Sequence, residues 1–290
     1  TLDVSTVSAD HAVTIEPFLA DQIEVLKGPA TLLFGSGAIG GAINIADGRI
    51  ASELPDQALS GRAELRGNSV NDETTGMFRV DLNQGQWVFH ADGLIRNTHD
   101  TAIPGTALLD HTTHDDHDHH DQSHGENSEK LANSALRTRS GGVGVTRFGD
   151  HGYTGVAYST YRSNYGIPDG AHDHAHDDEH HDHAHDDHQE THDDHDSVRV
   201  DLVQNRWDLR SALYQPLSGI ERIDFRFAHN DYTHTELEGQ HIGTVFDNRG
   251  WDGRLELIPT KNNGWQRAFG LQFGRSTFSA VGAEAFVPAH

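Results

Sequence analysis

Alternation of apolar and polar residues is the feature that most constrains the fold of this 290-residue chain. Phe78, Val80 and Leu82 alternate with charged residues, and the same period of two recurs through most of residues 59–280 outside two histidine-rich stretches. Successive side chains of a β-strand point to opposite faces, so this pattern predicts strands with one apolar and one polar face. Nine strands are predicted, at residues 59–68, 74–83, 86–97, 137–149, 152–163, 197–211, 220–234, 247–258 and 265–279.

The two faces and the connections favour a transmembrane β-barrel over a soluble sandwich. The polar face is rich in Arg and Asp, as a water-filled lumen requires, and the apolar face carries Trp, Phe and Leu. Tight or short turns at 84–85, 150–151, 215–219 and 260–264 alternate with long connections at 98–136, 164–196 and 235–246. Outer-membrane barrels show this asymmetry, although a soluble antiparallel sandwich with one wet face stays open as an alternative.

One predicted strand changes phase along its length. Val200 and Leu202 fall on even positions, whereas Trp207 and Leu209 fall on odd positions. One extra residue in a strand moves the following side chains to the other face. The sequence therefore predicts a β-bulge near 204–205.

Two of the long connections each contain a stretch that is rich in histidine and aspartate. Residues 110–126 and 169–196, called the first and second His/Asp tracts, hold 16 of the 24 histidines and no Lys or Arg. Neutral imidazole is the commonest protein ligand for zinc, copper and nickel, and carboxylate can complete the shell. The candidate ligands in the tracts are His114, His117, His119, His120, His172, His174, His176, His180, His181, His183, His185, His188, His192 and His195. Many overlapping ligands predict weak, exchangeable binding of divalent cations.

Composition excludes several classes of function. The formal charge is −24 and no basic stripe exists, so binding of nucleic acid through phosphate contacts is not expected. The chain has no cysteine, which excludes thiolate zinc sites, iron–sulfur clusters and disulfides. No nucleophile–base pair or nucleotide site is evident, so an enzyme is not expected. No run approaches the roughly 18 apolar residues of a spanning helix, although a β-barrel needs no such run.

A glycine-rich segment carries the most specific motif. Residues 35–40 match GxGxxG, but residues 41–45 read as a strand rather than a helix, and no βαβ unit follows. The longer stretch 23–45, IEVLKGPATLLFGSGAIGGAINI, closely resembles the end of the plug domain of TonB-dependent outer-membrane receptors, with Lys27 where Arg is commoner. Together with the His/Asp tracts, the segments NYGIP (164–168), YTHTE (232–236) and EAFVP (284–288) look most similar to the ZnuD-like zinc receptors of that family.

This resemblance implies an all-β fold in the outer membrane of a Gram-negative bacterium. Residues 1–52 would be the C-terminal part of a plug, and residues 53–290 the first part of an antiparallel transmembrane barrel. About nine of the 22 strands of such a barrel would be present, so a fragment of a receptor is expected. The implied partners are a divalent metal ion, outer-membrane lipid and the TonB–ExbB–ExbD complex that supplies energy.

Two further groups are candidate ligands for a tighter site. The resemblance assigns a zinc-binding role to Asp10 and His11, which match an Asp-His pair on a plug loop of the ZnuD-like receptors. His234, Glu236, Glu238 and His241 follow the seventh predicted strand, where imidazole and carboxylate could complete a tetrahedral zinc shell. The alternative for Asp10 and His11 is an Asp-His pair that only caps a loop, and the alternative for the second group is a solvated polar loop. His90, on the polar face of a strand, is interpreted as a lumen residue rather than a ligand.

The expected function is capture and import of zinc. The tracts would collect Zn²⁺ above a tighter site shared by the plug and the loops. Two alternatives stay open, a receptor for a metal chelate such as a siderophore or haem, and a surface barrel that only buffers metal. The sequence does not distinguish zinc from copper or nickel, since imidazole suits all three.

Overall fold

The computed structural model describes Thr14 and residues 16–28, 39–105, 129–168, 197–239 and 241–282. Asp10, His11, both His/Asp tracts and the EAFVP segment lie outside these residues. The plug-like segment contributes a 3-10 turn at Pro17–Leu19 and two antiparallel strands, β1 (Gln22–Lys27) and β2 (Gly41–Ala46). The short strand expected after the glycine motif is therefore present as β2.

Nine further strands form one antiparallel sheet, and each overlaps a predicted strand. They are β3 (Leu59–Asn68), β4 (Glu73–Gln84), β5 (Trp87–Asn97), β8 (Leu136–Gly149), β9 (Gly152–Gly166), β10 (Val198–Leu217), β11 (Ile220–Glu238), β12 (His241–Pro259) and β13 (Phe269–Gly282). Each strand of this sheet pairs with the next strand of the sheet along the chain. β5 therefore pairs with β8, which follows the first long connection. In that connection, β6 (Thr101–Ala102) and β7 (Lys130–Leu131) form a small separate ladder.

All the long connections leave one end of the sheet, the long-loop end, and the short turns lie at the other, the short-turn end. The loop predicted at 235–246 is wrong, because β11 continues to Glu238 and β12 begins at His241. β10, β11 and β12 have 20, 19 and 19 residues, whereas about 9–11 residues cross a bilayer. These three strands therefore extend well past the hydrocarbon layer.

The bulge predicted at 204–205 is also wrong. β10 keeps one register with both neighbours from Arg199 to Leu213, and its irregularity lies between Tyr214 and Leu217. Val200 and Leu202 need no change of phase, since they point inward and pack with Ile167 and Tyr232 in a fully buried cluster. The apolar residues of the two halves of β10 thus serve opposite faces.

The two faces of the sheet differ as the alternation predicts. One face, called the outer face, exposes large apolar side chains, among them Trp87, Phe89, Val143, Trp207 and Trp251. The other, called the inner face, buries polar side chains, among them His90, Asp92, Asp224, Asn230 and His234. An apolar exterior around a polar interior is the arrangement of a membrane barrel. Among the described residues, no helix is long and apolar enough to span a membrane.

The plug-like segment packs against the inner face of β3–β5. Leu19 is buried with Met77 and Leu94, and the Arg66 guanidinium lies 3.8 Å from the centre of the Phe18 ring. Nη2 of Arg96 donates to Oε1 of Glu16 over 3.1 Å. Apolar burial and ionic contacts thus hold this segment against the inner face of the sheet.

Candidate metal site and the inner-face ion network

Tyr232, His234 and Glu236 lie on the inner face of β11, because residues two apart on a strand share a face. Tyr232 and His234 have no exposed surface and Glu236 is 6% exposed. His234 lies opposite Leu202 on β10 and Phe246 on β12. A strand in the middle of a hydrogen-bonded sheet therefore positions this imidazole and this carboxylate, rather than the loop expected from the sequence.

The geometry of His234 allows one nitrogen to bind a metal. Its Nδ1 lies 2.9 Å from the hydroxyl oxygen of Tyr232, and its Nε2 lies 3.7 Å from Oε1 of Glu236. Two ligand atoms on a tetrahedral zinc ion with bonds of about 2.0–2.1 Å are roughly 3.3–3.4 Å apart. A shift of a few tenths of an ångström would thus place both on one ion. If Nδ1–H donates to Tyr232, Nε2 keeps its lone pair for the metal, and the hydroxyl fixes the ring orientation.

Aromatic packing restricts the rotation of the His234 ring. The ring centres of His234 and Phe246 are 4.5 Å apart, and Tyr232 meets His234 edge-on with centres 5.8 Å apart. Phe246 has no exposed surface. Ligands held in fixed rotamers by their surroundings bind metal more tightly than ligands on flexible loops.

The other two residues of this candidate group lie further along the same hairpin. Glu238 is opposite His241 across the turn, and both are exposed. Within the part of the chain that the structure describes, no three His, Asp or Glu side chains form a group that could hold a metal ion. His234 and Glu236 could therefore supply two ligands, and a complete shell needs others. Asp10 and His11 lie outside the described residues, so their predicted role stays a prediction.

A second set of polar residues links the plug-like segment to the barrel wall. Arg49, on the connection between β2 and β3, donates to Asp92 through Nε (2.7 Å) and Nη2 (3.0 Å), and to Asp47 through Nη1 (3.0 Å). Asp92 also lies 2.9 Å from Nε2 of His90. This contact of Arg49 with Asp92, called the clasp, joins residue 49 to the inner face of β5.

His90 connects this clasp to a second arginine. Its Nδ1 lies 2.7 Å from Asp81, so both ring nitrogens face carboxylate oxygens, which only accept hydrogen bonds. Nε of Arg79 donates to Asp81 over 3.2 Å, and Nη1 of Arg79 donates to Asp21 just before β1. His90 is thus a lumen residue in an ion network, as interpreted from the sequence.

Glycine on β8 allows the chain at residue 49 to approach the wall. A Cβ atom at Gly144 would overlap the backbone carbonyl oxygen of Arg49, and one at Gly142 would overlap its guanidinium. Burial acts to lower the pKa of Arg49, but its hydrogen bond to Asp92 and the charges of Asp47 and Asp92 raise that pKa above its ordinary value. Arg49 therefore remains a cation in this buried position.

Sequence reasoning missed this network, although it identified the lumen. The Arg79–Asp81 and His90–Asp92 alternation was visible as a polar face. The partner of that face was not visible, because Arg49 is 43 residues from Asp92 in the sequence. An isolated arginine just after a plug-like motif was the available signal.

A polar cavity of about 290 Å³ lies between the plug-like segment and the inner face of β8–β12. Its lining includes Glu16, Asp47, Gln204, Arg206 and Asp252. Such a space could admit a hydrated ion on the short-turn side of His234.

Comparison with known proteins identifies the plug and the barrel. Residues 3–42 match the model of the TonB-dependent receptor plug domain. The ferrioxamine receptor of Yersinia enterocolitica is 24% identical over 88 residues, which are 30% of this chain and 12% of that receptor. The chain thus spans only a small part of that relative.

Two solved structures share the fold. The copper transporter OprC superposes with a TM-score of 0.65 at 14% identity, covering 92% of this chain and 34% of that one. The FrpB iron transporter from Neisseria meningitidis (F3-3 variant) gives 0.61 at 14% identity, covering 91% and 38%.

These findings confirm the predicted fold, an antiparallel β-barrel with a plug domain, and the predicted location in the Gram-negative outer membrane. The plug match and the ferrioxamine receptor show that the chain is similar to TonB-dependent receptors.

Proposed function

We propose that this chain belongs to a TonB-dependent receptor that captures and imports zinc ions. The observation that carries the proposal is the buried pair of His234 and Glu236 on the inner face of β11, at the end of the sheet from which both His/Asp tracts emerge. The tracts would raise the local concentration of Zn²⁺ through charge and weak ligation. Asp10 and His11 of the plug would complete the shell of His234 and Glu236.

Imidazole and carboxylate without thiolate are consistent with this cargo. Zinc accepts a tetrahedral mixture of nitrogen and oxygen ligands, and two of the proposed ligands come from a strand that packing holds in place. Energy for release would come from the TonB–ExbB–ExbD complex, as the resemblance to TonB-dependent receptors implies. Copper stays open as the cargo, because imidazole also suits it and OprC is by name a copper transporter.

The test measures zinc binding and uptake in one variant and a matched control. His234→Phe removes the proposed ligand but keeps an aromatic ring beside Phe246. His229→Phe changes a histidine on the same strand that lies outward beside Trp207 and Trp251. Zinc uptake by cells should fall at least about tenfold for His234→Phe and stay unchanged for His229→Phe, and deletion of TonB should abolish it. Equal uptake by both variants would contradict the zinc site.

A metal chelate is the second candidate cargo, because the ferrioxamine receptor is among the relatives. Competition separates the two ligands. If ferrioxamine binds and free Zn²⁺ does not displace it, the receptor takes up a chelate and the His/Asp tracts are accessory. A surface barrel that only buffers metal would bind zinc but show no uptake that depends on TonB.

A further inference from the structure

The outer face carries a groove of about 660 Å³ over strands β4, β5, β8 and β9. Gly93 and Gly141 lie opposite each other on β5 and β8, and neither has a side chain to fill the space above the sheet. The Phe78 ring lies over Gly93, where an added Cβ would be 2.7 Å from it. Phe78 and Ile95 are 51% and 54% exposed and form apolar walls. The volume lies within the roughly 300–1,000 Å³ typical of ligand sites.

Two arginines bound the groove on the side of the long-loop end. Arg139 on β8 and Arg162 on β9 are direct cross-strand partners, and both are exposed on the outer face. Within the described residues, no carboxylate lies within ion-pair distance of either guanidinium. By contrast, Arg249 on the same face pairs with Asp231 over 2.8 Å. Like charges directly opposite each other on a sheet repel, so an anion bound by both arginines would stabilise this pair.

The arginine pair lies where the apolar part of the outer face ends. Moving from Arg139 towards the short-turn end, β8 presents Gly141, Val143 and Val145. On the adjoining strands, Tyr158 and Trp207 pack with ring centres 4.8 Å apart, as aromatic residues do near a membrane interface. The pair would therefore meet lipid head groups while the groove meets acyl chains.

We propose that this groove binds one phosphorylated lipid of the outer leaflet. Arg139 and Arg162 hold the phosphate, because the planar guanidinium fork matches phosphate oxygens in paired hydrogen bonds. One acyl chain of the same lipid lies over Gly141, between Phe78 and Ile95. This site is on the opposite face from His234, so it does not depend on the proposed cargo.

The test titrates the intact, delipidated protein in detergent with bisphosphorylated lipid A and counts bound lipid by native mass spectrometry. Phosphatidylcholine and inorganic phosphate are the comparison ligands. The double variant Arg139→Gln/Arg162→Gln should weaken binding of lipid A at least about tenfold. Arg147→Gln is the matched control, because Arg147 is exposed on the same face at the short-turn end, 5.6 Å from the Trp87 ring. It should bind lipid A as the unmodified protein does.

A second variant tests the acyl groove. Gly141→Leu fills the space above β8, and the nearest atom to its Cβ would be the backbone oxygen of Asp92 at 3.3 Å, so the neighbouring backbone must shift by a few tenths of an ångström. It should weaken lipid A binding while the protein still migrates as a folded barrel before heating. Unchanged binding in the double arginine variant would overturn the proposal and leave two arginines that merely extend to water. Equally tight binding of phosphatidylcholine, or of inorganic phosphate, would overturn it as well.

Discussion

Replacement of Arg49 by methionine should loosen the plug-like segment from the barrel by a large and measurable free energy. Arg49 makes two hydrogen bonds to Asp92, whose side chain is 2% exposed, and Arg49 itself is 14% exposed. Methionine keeps the length of the side chain but removes the charge. Asp92 would then be a buried carboxylate whose remaining hydrogen-bonding neighbour is His90.

The expected magnitude follows from burial. Removing one partner of a buried ion pair typically costs about 3–5 kcal/mol, because the other charge stays desolvated. Arg249 and Asp231 form an ion pair of similar length, 2.8 Å, but with side chains 70% and 41% exposed. Exposed pairs contribute about 0–1 kcal/mol. Arg249→Met is therefore the matched control, and its effect should be at least threefold smaller.

The assay is guanidinium unfolding of the intact protein in detergent, followed by tryptophan fluorescence, with limited proteolysis to report release of the plug-like segment. Arg49→Met should lower the unfolding midpoint and expose residues near Arg49 to protease before the barrel unfolds. The double variant Arg49→Met/Asp92→Leu should recover part of the loss, because it removes the buried charge of Asp92 that Arg49→Met leaves without its arginine. If Arg49→Met and Arg249→Met behave alike, the clasp does not stabilise the plug and this reasoning is wrong.

Three other outcomes can be measured. Gly144→Ala should cost about 1–3 kcal/mol of unfolding free energy, because its Cβ would overlap the carbonyl oxygen of Arg49. Gly270→Ala is the control and should be neutral in the same titration, because the nearest atom to its Cβ would be 3.9 Å away. Deletion of residues 172–195 should lower the number of weakly bound zinc ions in equilibrium dialysis without changing the tightest dissociation constant; loss of the tight site would show that the tract forms it. Zinc loading of the tracts should fall as the pH drops through about 6.5, because ligation needs neutral imidazole, and a flat profile between pH 5 and 8 would exclude histidine as the main ligand.

The strands could be predicted because their pattern is local. Phe78 and Arg79, or Trp87 and Val88, occupy opposite faces by geometry alone, so the period of two located all nine strands of the sheet. The errors arose where tertiary packing replaced the membrane as the apolar partner. The change of phase between Val200 and Leu202 and the later residues of the strand was explained by a bulge, but Val200 and Leu202 pack inward on Ile167 and Tyr232.

The candidate site was predicted in its residues but not in its setting. His234, the last residue of the seventh predicted strand, and Glu236 were expected where that strand gives way to the connection predicted at 235–246. The structure places them on a strand, since β10 and β12 supply hydrogen bonds on both sides and Phe246 covers the imidazole. The ion network of Arg49 could not be predicted, because the contact between residues 49 and 92 depends on how the plug packs.

Under the proposed function, the position of the Arg49–Asp92 contact restricts how the cargo could be released. Arg49, Arg79 and their carboxylates fix the chain on both sides of β1 and β2 to the wall of β4 and β5. Arg96 and Glu16 fix it again just before the 3-10 turn. Under the proposed function, His234 and Glu236 belong to the wall, whereas Asp10 and His11 belong to the chain before Glu16. A movement that separates these two pairs of ligands therefore needs only the segment upstream of Glu16 to shift. Because a zinc ion held by two ligands binds far more weakly than one held by four, such a shift would release the ion without breaking the buried ion pairs.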